Sequence, residues 1–232
     1  AHWLLGGSPP EHVSDMIVQE TKPESVRDVD LVFSSLPSEV AVEIEPKLAE
    51  QGFKVVSTTS AFRMDPLVPM IIPEVNPDHL SLIEKQREEK RWKGFLVTKS
   101  NCTTMPLVIP LKPLLDSFGI RRVVVVSLQA LSGAGYPGVQ SLDIVDNVIP
   151  FIKGEEEKVR NETVRLLGRL EGERILPADF RIACKCNRVP VHQGHTESVF
   201  IQTVKECSVE DLKTVWREYR GEPQRLALPT AP

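Results

Sequence analysis

The residues best placed to do covalent chemistry begin with Cys102, inside the pentapeptide Ser100-Asn101-Cys102-Thr103-Thr104. An apolar run, Gly94-Phe95-Leu96-Val97-Thr98, precedes it, and a mostly apolar stretch from Met105 to Phe118 follows. That order reads as a buried strand, a turn and a helix. Cys102 falls at the helix start, where unpaired backbone N–H groups and the positive dipole end favour a thiolate. It is therefore a candidate nucleophile, with an inert cysteine packed beside apolar sequence as the competing reading.

A thiolate nucleophile needs a partner that titrates near neutrality, which singles out imidazole. Asn187-Arg188-Val189-Pro190-Val191-His192-Gln193-Gly194-His195-Thr196-Glu197 supplies two histidines, and chemistry alone does not choose between His192 and His195. On an extended strand, Arg188 and His195 would point to opposite faces because their offset of seven is odd. The chain must bend around Pro190 and Gln193-Gly194 for both to face one pocket, which Gly194 permits. Arg188 could then grip a carboxylate through its planar fork, or serve as an ordinary ion-pair arginine. Gln129 closes a β-branched run, where a buried amide is costly unless paired. Glu155 and Lys158 stand three apart in a run that by default is the solvated first turn of a helix.

The elements that position these groups alternate in type. Met16 to Gln19 is a candidate short strand, and Asp30 to Ser34 a buried one. Ser38 is placed to cap a helix from about Glu39 to Gln51 that stops at Gly52, and Phe53 to Ser57 forms the next strand. Strand, helix and strand at this spacing indicate a parallel βαβ unit. A proline-rich connector from Arg63 to Asn76 leads to a helix opened by Asn76-Pro77 and running to about Arg91, whose charged stretch from Glu84 is a solvated face. In the helix after Cys102, Pro106 is tolerated near the start, whereas Pro110 should kink it. Arg122 to Leu128 reads as a central strand. Glu155 to Leu170 reads as an amphipathic helix with Val159, Thr163, Leu166, Leu167 and Leu170 on one side. Phe180 to Asn187 and Ser198 to Lys205 are strands flanking the His195 turn. Ser208-x-x-Asp211 approximates a capping box for a last helix to about Arg220.

The chain has 232 residues, 41% of them hydrophobic and 26% charged, enough to bury one large core or two small ones. A net charge of −4 and the lack of a basic cluster interleaved with aromatics exclude the usual nucleic-acid binders. No run approaches the length of a membrane span, and no secretory leader pattern is evident, which points to the cytoplasm. Cys102, Cys184, Cys186 and Cys207 have neither zinc-ribbon nor disulfide-framework spacing. Cys184 and Cys186 share one face of a strand as two packed thiols rather than half a metal site. His192 and His195 do not converge as zinc-protease histidines do on a helix, so no metal is expected.

The pentapeptide resembles the active-site cysteine motif of aspartate-semialdehyde dehydrogenases, particularly their archaeal and fungal branch. Three further segments resemble the same family in the same order: Gln129-Ala130-Leu131-Ser132-Gly133-Ala134-Gly135-Tyr136-Pro137-Gly138, then Pro150-Phe151-Ile152-Lys153-Gly154-Glu155-Glu156-Glu157-Lys158, then the stretch from Asn187 to Glu197. The resemblance implies an α/β protein: a partial Rossmann-type parallel-sheet domain over residues 1–101, followed by an α+β catalytic and dimerisation domain with a mixed sheet over 102–232. It implies Cys102 as nucleophile, His195 as acid/base and Gln129 as the group orienting the acyl intermediate. Arg188, Glu155, Lys158 and Asn101 then meet substrate, with Lys158 near phosphate. Ser34, Ser35, Pro37, Ser132 and Gly133 lie along the cofactor, NADP or alternatively NAD. The implied reaction is reversible, phosphate-dependent oxidation of L-aspartate 4-semialdehyde to 4-phospho-L-aspartate, serving lysine, threonine and methionine synthesis in a homodimer or homotetramer. A thiolate suits it, forming a hemithioacetal that loses hydride to leave a thioester.

The chain departs from the family's pattern in two respects. The family's first strand and glycine-rich turn would lie upstream of Ala1, Gly6-Gly7 being too short to replace them, and its last helix would lie beyond Pro232, so the chain is expected to be an internal portion. Ser57-Thr58-Thr59 stands where the family usually has Ser-Asn-Ala. Malonyl-CoA reductase, of the same branch, and a non-catalytic subunit unable to hold the dinucleotide are the alternative readings.

Overall fold

The computed structural model describes residues 9–229; Gly6-Gly7 and His2 lie outside them. The first half holds β1 (Leu31–Ser34), α1 (Ser38–Gln51), β2 (Lys54–Ser57), α2 (Leu82–Lys90) and β3 (Phe95–Thr98). β1, β2 and β3 form a parallel sheet in that order, in register from Leu31↔Lys54 to Ser57↔Thr98. α1 stops where Gly52 takes φ 113°, a left-handed turn that glycine adopts without Cβ strain. Leu48, Val55, Val68 and Leu96 are the buried centre of this half.

The second half begins with α3 (Thr104–Phe118) and β4 (Ile120–Gln129). The short α4 (Ser141–Ile144), α5 (Glu155–Leu166) and the hairpin β5 (Arg169–Glu171) and β6 (Arg174–Leu176) follow. β7 (Arg181–Arg188), β8 (Thr196–Thr203), α6 (Val209–Glu218) and α7 (Glu222–Arg225) complete the described chain. β4 is central, parallel to β7 and antiparallel to β8, which makes this sheet mixed. Its inner face, with Val123, Val125 and Cys186, packs under Leu107 and Leu111 of α3 and Val159 and Leu166 of α5. Each such fully buried aliphatic side chain contributes about 1.5–3 kcal/mol, so the core fixes the two helices over the sheet whose end carries the site.

The α/β class, the βαβ unit and the central strand are as the sequence indicates. Several local readings change. Met16 to Gln19 is not a strand: Met16, Ile17 and Val18 are exposed and no ladder partner lies among the described residues. Ser38 is the first residue of α1 rather than its cap, and its hydroxyl bonds Ser60 instead. The helix expected from Pro77 to Arg91 starts as a 3-10 turn, Pro77–Ser81, before α2. The helix expected after Cys102 does form, as α3, and its assignment runs through Pro106, Pro110 and Pro113. Pro106 sits in the first turn, where no intrahelical N–H is required, and Pro106 and Pro110 both lie on the exposed side. α5 ends at Leu166, four residues short of the expected Leu170, because Gly168 lies so close to the Leu176 carbonyl that a Cβ there would sit 2.4 Å from it. The capping box at Ser208 and Asp211 forms as expected, opening a helix that ends at Glu218.

Candidate active site

β3 delivers the chain to Asn101-Cys102, and Asn101 does the work expected of a helix cap. Its Oδ1 accepts from Thr103 N at 2.7 Å and Thr104 N at 3.3 Å, while its Nδ2 donates to Glu155 Oε1 at 2.7 Å. The first free N–H groups of α3 are thus occupied by Asn101. Cys102, in the turn before the helix and exposed, takes its partner from elsewhere: His195 Nε2 lies 3.3 Å from its sulfur.

His195 and Arg188 converge because both are pinned to one residue. Ala130, just past β4, donates its N–H to His195 Nδ1 at 3.1 Å and receives Arg188 Nη1 on its carbonyl at 2.7 Å. The bend anticipated between them is a loop from Val189 to His195, with Gly194 at φ 87°, zipped to the 129–132 segment by Val189 N to Gln129 O, Leu131 N to Val191 O and Ser132 N to His192 O. His192 contributes only backbone there and is exposed. Since Nδ1 accepts a backbone N–H, the neutral ring carries its proton on Nε2, aimed at the sulfur. Burial holds the His195 pKa below its ordinary value, helped by the Arg188 charge and opposed by Glu155.

Gln129 is buried, with Nε2 donating to Glu155 Oε1 at 3.3 Å and to Ser127 Oγ at 3.4 Å. Glu155 is accordingly not on a solvated first turn: it is 7% exposed, at the hub of Asn101 and Gln129, with Lys158 Nζ 3.9 Å from Oε2. A cavity of about 430 Å³ is lined by Cys102, Asn101, Gln129, Arg188, Glu155, Lys158 and Gly133, among others. Ser132 does not line it. Ser34, Ser35 and Pro37 lie apart, at the C-terminal end of β1: Ser35 Oγ accepts from Thr58 Oγ1, and the buried Ser34 Oγ has no partner. Ser57 turns inward, donating to the buried Glu45 Oε1 at 2.7 Å.

The sequence reading missed two residues of this site. Arg63, buried in the proline-rich connector, lines the cavity, and Glu162 binds it while also accepting the Asn101 N–H. Arg63 has no spacing that could flag it. Glu162 had one signal, a carboxylate between Val159 and Leu166 on the apolar face of α5. Among the described residues, no group of three or more His, Cys, Asp or Glu could hold a metal, and no helix is long and apolar enough to cross a membrane. The Cys184 and Cys186 sulfurs lie 3.4 Å apart on one face of β7, both free.

The parallel-sheet domain and the mixed-sheet domain that carries the thiol, the imidazole and the guanidinium each match semialdehyde dehydrogenases. Residues 5–83 match the family model described as the semialdehyde dehydrogenase NAD binding domain, and residues 111–227 the dimerisation domain of the same enzymes. Aspartate-semialdehyde dehydrogenase of Methanothermobacter thermautotrophicus is 50% identical over 232 residues, all of this chain and 67% of that protein. The crystal structure of aspartate semialdehyde dehydrogenase with NADP from Candida albicans superimposes with a TM-score of 0.89 at 38% identity, covering 100% of this chain and 68% of that one. Malonyl CoA reductase (NADP) of Metallosphaera sedula is 38% identical over 232 residues, 99% of this chain and 65% of that protein. The chain spans about two thirds of the length of the curated relatives it matches. It belongs to the aspartate-semialdehyde dehydrogenase family.

Proposed function

We propose that this chain carries the catalytic site of an NADP-dependent, phosphate-dependent aspartate-semialdehyde dehydrogenase. The observation that carries the reading is the Cys102 sulfur, 3.3 Å from His195 Nε2, opening into a cavity that Arg188 also lines. Arg188 takes the substrate carboxylate, and Glu155 offers an anionic partner for the amino group. With its proton given up to solvent, the Cys102 sulfur adds to the aldehyde carbon, and the Nε2–H of His195 turns from the sulfur to the carbonyl oxygen as negative charge develops there. Loss of hydride from that carbon leaves a thioester, held by Gln129. A phosphate oxygen, drawn in by the cations of Lys158 and Arg63, attacks the thioester carbonyl; the C–S bond breaks and the thiolate returns to its hydrogen bond. In the biosynthetic direction the same thiolate displaces phosphate from the acyl phosphate.

The C-terminal ends of β1 and β2 fit a dinucleotide. Open parallel sheets bind such ligands beyond the C-terminal ends of their strands, and at that end of β1 the buried Ser34 hydroxyl has no hydrogen-bond partner. A bound nicotinamide would supply the hydride acceptor. Ser34, Ser35 and Pro37 would flank it on one side and Ser132-Gly133 on the other. The outer face of the mixed sheet, with Phe200 69% and Leu128 39% exposed, supports assembly as a homodimer or homotetramer.

Cys102→Ser tests the reaction. With labelled aspartyl phosphate, the whole gene product should trap a thioester and the variant none; label retained on the variant refutes Cys102 as nucleophile. Because a malonyl CoA reductase is among the relatives, turnover of malonyl-CoA in preference to aspartyl phosphate would replace the substrate assignment and keep the thioester chemistry.

A further inference from the structure

Glu162 takes no part in the chemistry just described, yet it is buried against the turn that carries Cys102. Its side chain is 3% exposed on the inward face of α5, where an unpaired carboxylate would be costly. Both oxygens are engaged, by groups from two other segments. Oε1 accepts from Arg63 Nη1 at 3.1 Å, and Oε2 accepts from the backbone N–H of Asn101 at 2.6 Å. Arg63 is steadied further by the carbonyls of Thr59 (Nε, 3.1 Å) and Thr58 (Nη2, 2.9 Å), which leaves one N–H on each of its terminal nitrogens uncommitted, and it lines the cavity. Asn101 in turn caps Thr103 and Thr104, so the peptide on each side of Cys102 is tethered.

We propose that Glu162 is a positioning residue: one carboxylate fixes the Arg63 cation and the Asn101-Cys102 turn relative to each other, so that an anion held by Arg63 faces the sulfur. A buried ion pair serving only the fold would need Arg63 alone. The second oxygen, spent on the N–H of the residue preceding the nucleophile, is what ties the pair to the site. The phosphate chemistry of this inference rests on the proposed function, but the geometry does not.

The test uses the whole gene product and a readout that needs no turnover: protection of Cys102 from iodoacetamide by inorganic phosphate. In Glu162→Gln, which cannot accept from both donors, the half-protecting phosphate concentration should rise roughly tenfold, the loss of one charge-assisted hydrogen bond. The KM for phosphate should rise in parallel, while the KM for the semialdehyde moves less than about twofold. On an Arg63→Ala background, Glu162→Gln should shift protection by less than about twofold, because its effect passes through Arg63. Unchanged protection in the single variant, or an equal shift on the Arg63→Ala background, overturns the inference. Should Glu162→Gln not fold, Glu162→Asp, too short to span both donors, carries the same comparison. If neither folds, Glu162 serves the fold alone and the inference fails. Wild-type protein that phosphate protects but that does not turn over the semialdehyde sinks the substrate assignment while leaving this inference standing. Absence of any protection in the wild type sinks the inference itself.

Discussion

Replacing Glu197 with glutamine should make the protein more stable at alkaline pH and leave it nearly unchanged at acidic pH. Glu197 lies on β8, opposite Ser127 of β4, and its Oε1 is buried without a hydrogen-bond partner. Burial, reinforced by the nearby Cys186 sulfur, raises its pKa from 4.5 to about 7. A carboxyl whose pKa rises on folding binds its proton more tightly in the native state. Its contribution is therefore fully present below about pH 4.5 and lost as pH rises through about 7. The gap between those values corresponds to about 3 kcal/mol if the site were fully shielded. Solvent reaches part of this side chain, which reduces the expected effect to about 1–2 kcal/mol. Glutamine does not titrate, so the variant escapes the loss. For a chain of this size each kcal/mol moves Tm by about 2–4 °C. Thermal unfolding of both proteins at pH 5 and pH 8 reads the term together with its coupling to the Cys186 thiol. The variant should gain about 2–8 °C on the wild type between the two pH values. A difference that is the same at both, or that favours the wild type as pH rises, refutes the assignment of a raised pKa to Glu197.

Other perturbations reach the site and the core separately. A Cβ at Gly133 would lie 2.9 Å from His195 Cε1 and 3.0 Å from Arg188 Nη1. Gly133→Ala should therefore lower kcat/KM by up to about a hundredfold through misplacement of both groups, with Tm little changed; steady-state kinetics alongside thermal melts check this. Because burial and then the Arg188 charge hold the His195 pKa below 6.5, the acidic limb of kcat/KM should fall below pH 6.5. In Arg188→Gln the limb should move toward higher pH, and a limb that stays put in the pH profile would count against that coupling. Leu111, 1% exposed between α3 and the mixed sheet, should cost about 2–5 kcal/mol on truncation to alanine, read by urea unfolding.

Elements whose outcome depends on local periodicity were legible before any coordinates. The β-branched run that became β4 and the glycine that ended α1 are decided within a few residues. Ser208 and Asp211 satisfy each other's backbone without help from the rest of the chain. Misreadings arose where tertiary contact overrode local preference. Met16 to Gln19 has strand composition but no strand to pair with among the described residues. α5 has helical pattern through Leu170, yet close packing at Gly168 against Leu176 turns the chain into a hairpin.

The site itself divides along the same physical line. Residue types alone left Cys102, Gln129 and Arg188 with ordinary structural alternatives and His195 level with His192; the resemblance of four segments in order to one family singled the four out. What no linear pattern conveys is that the backbone of Ala130 alone holds the imidazole on its N–H and the guanidinium on its carbonyl. The odd offset between Arg188 and His195, which on a straight strand would separate them, is resolved because β7 and β8 both pair with β4 and the loop between them folds back over its end. Sequence distance hides Arg63 more completely, since its partner Glu162 lies 99 residues away and what holds the two buried ions is each other, the turn that carries Cys102 and the carbonyls of Thr58 and Thr59. Burial of charge marks the candidate site where spacing does not: Glu155, Glu162, Arg63 and Arg188 are each buried, and each is bonded to a residue of that site or to its backbone, whereas the equally buried Glu45 answers Ser57 in the first sheet.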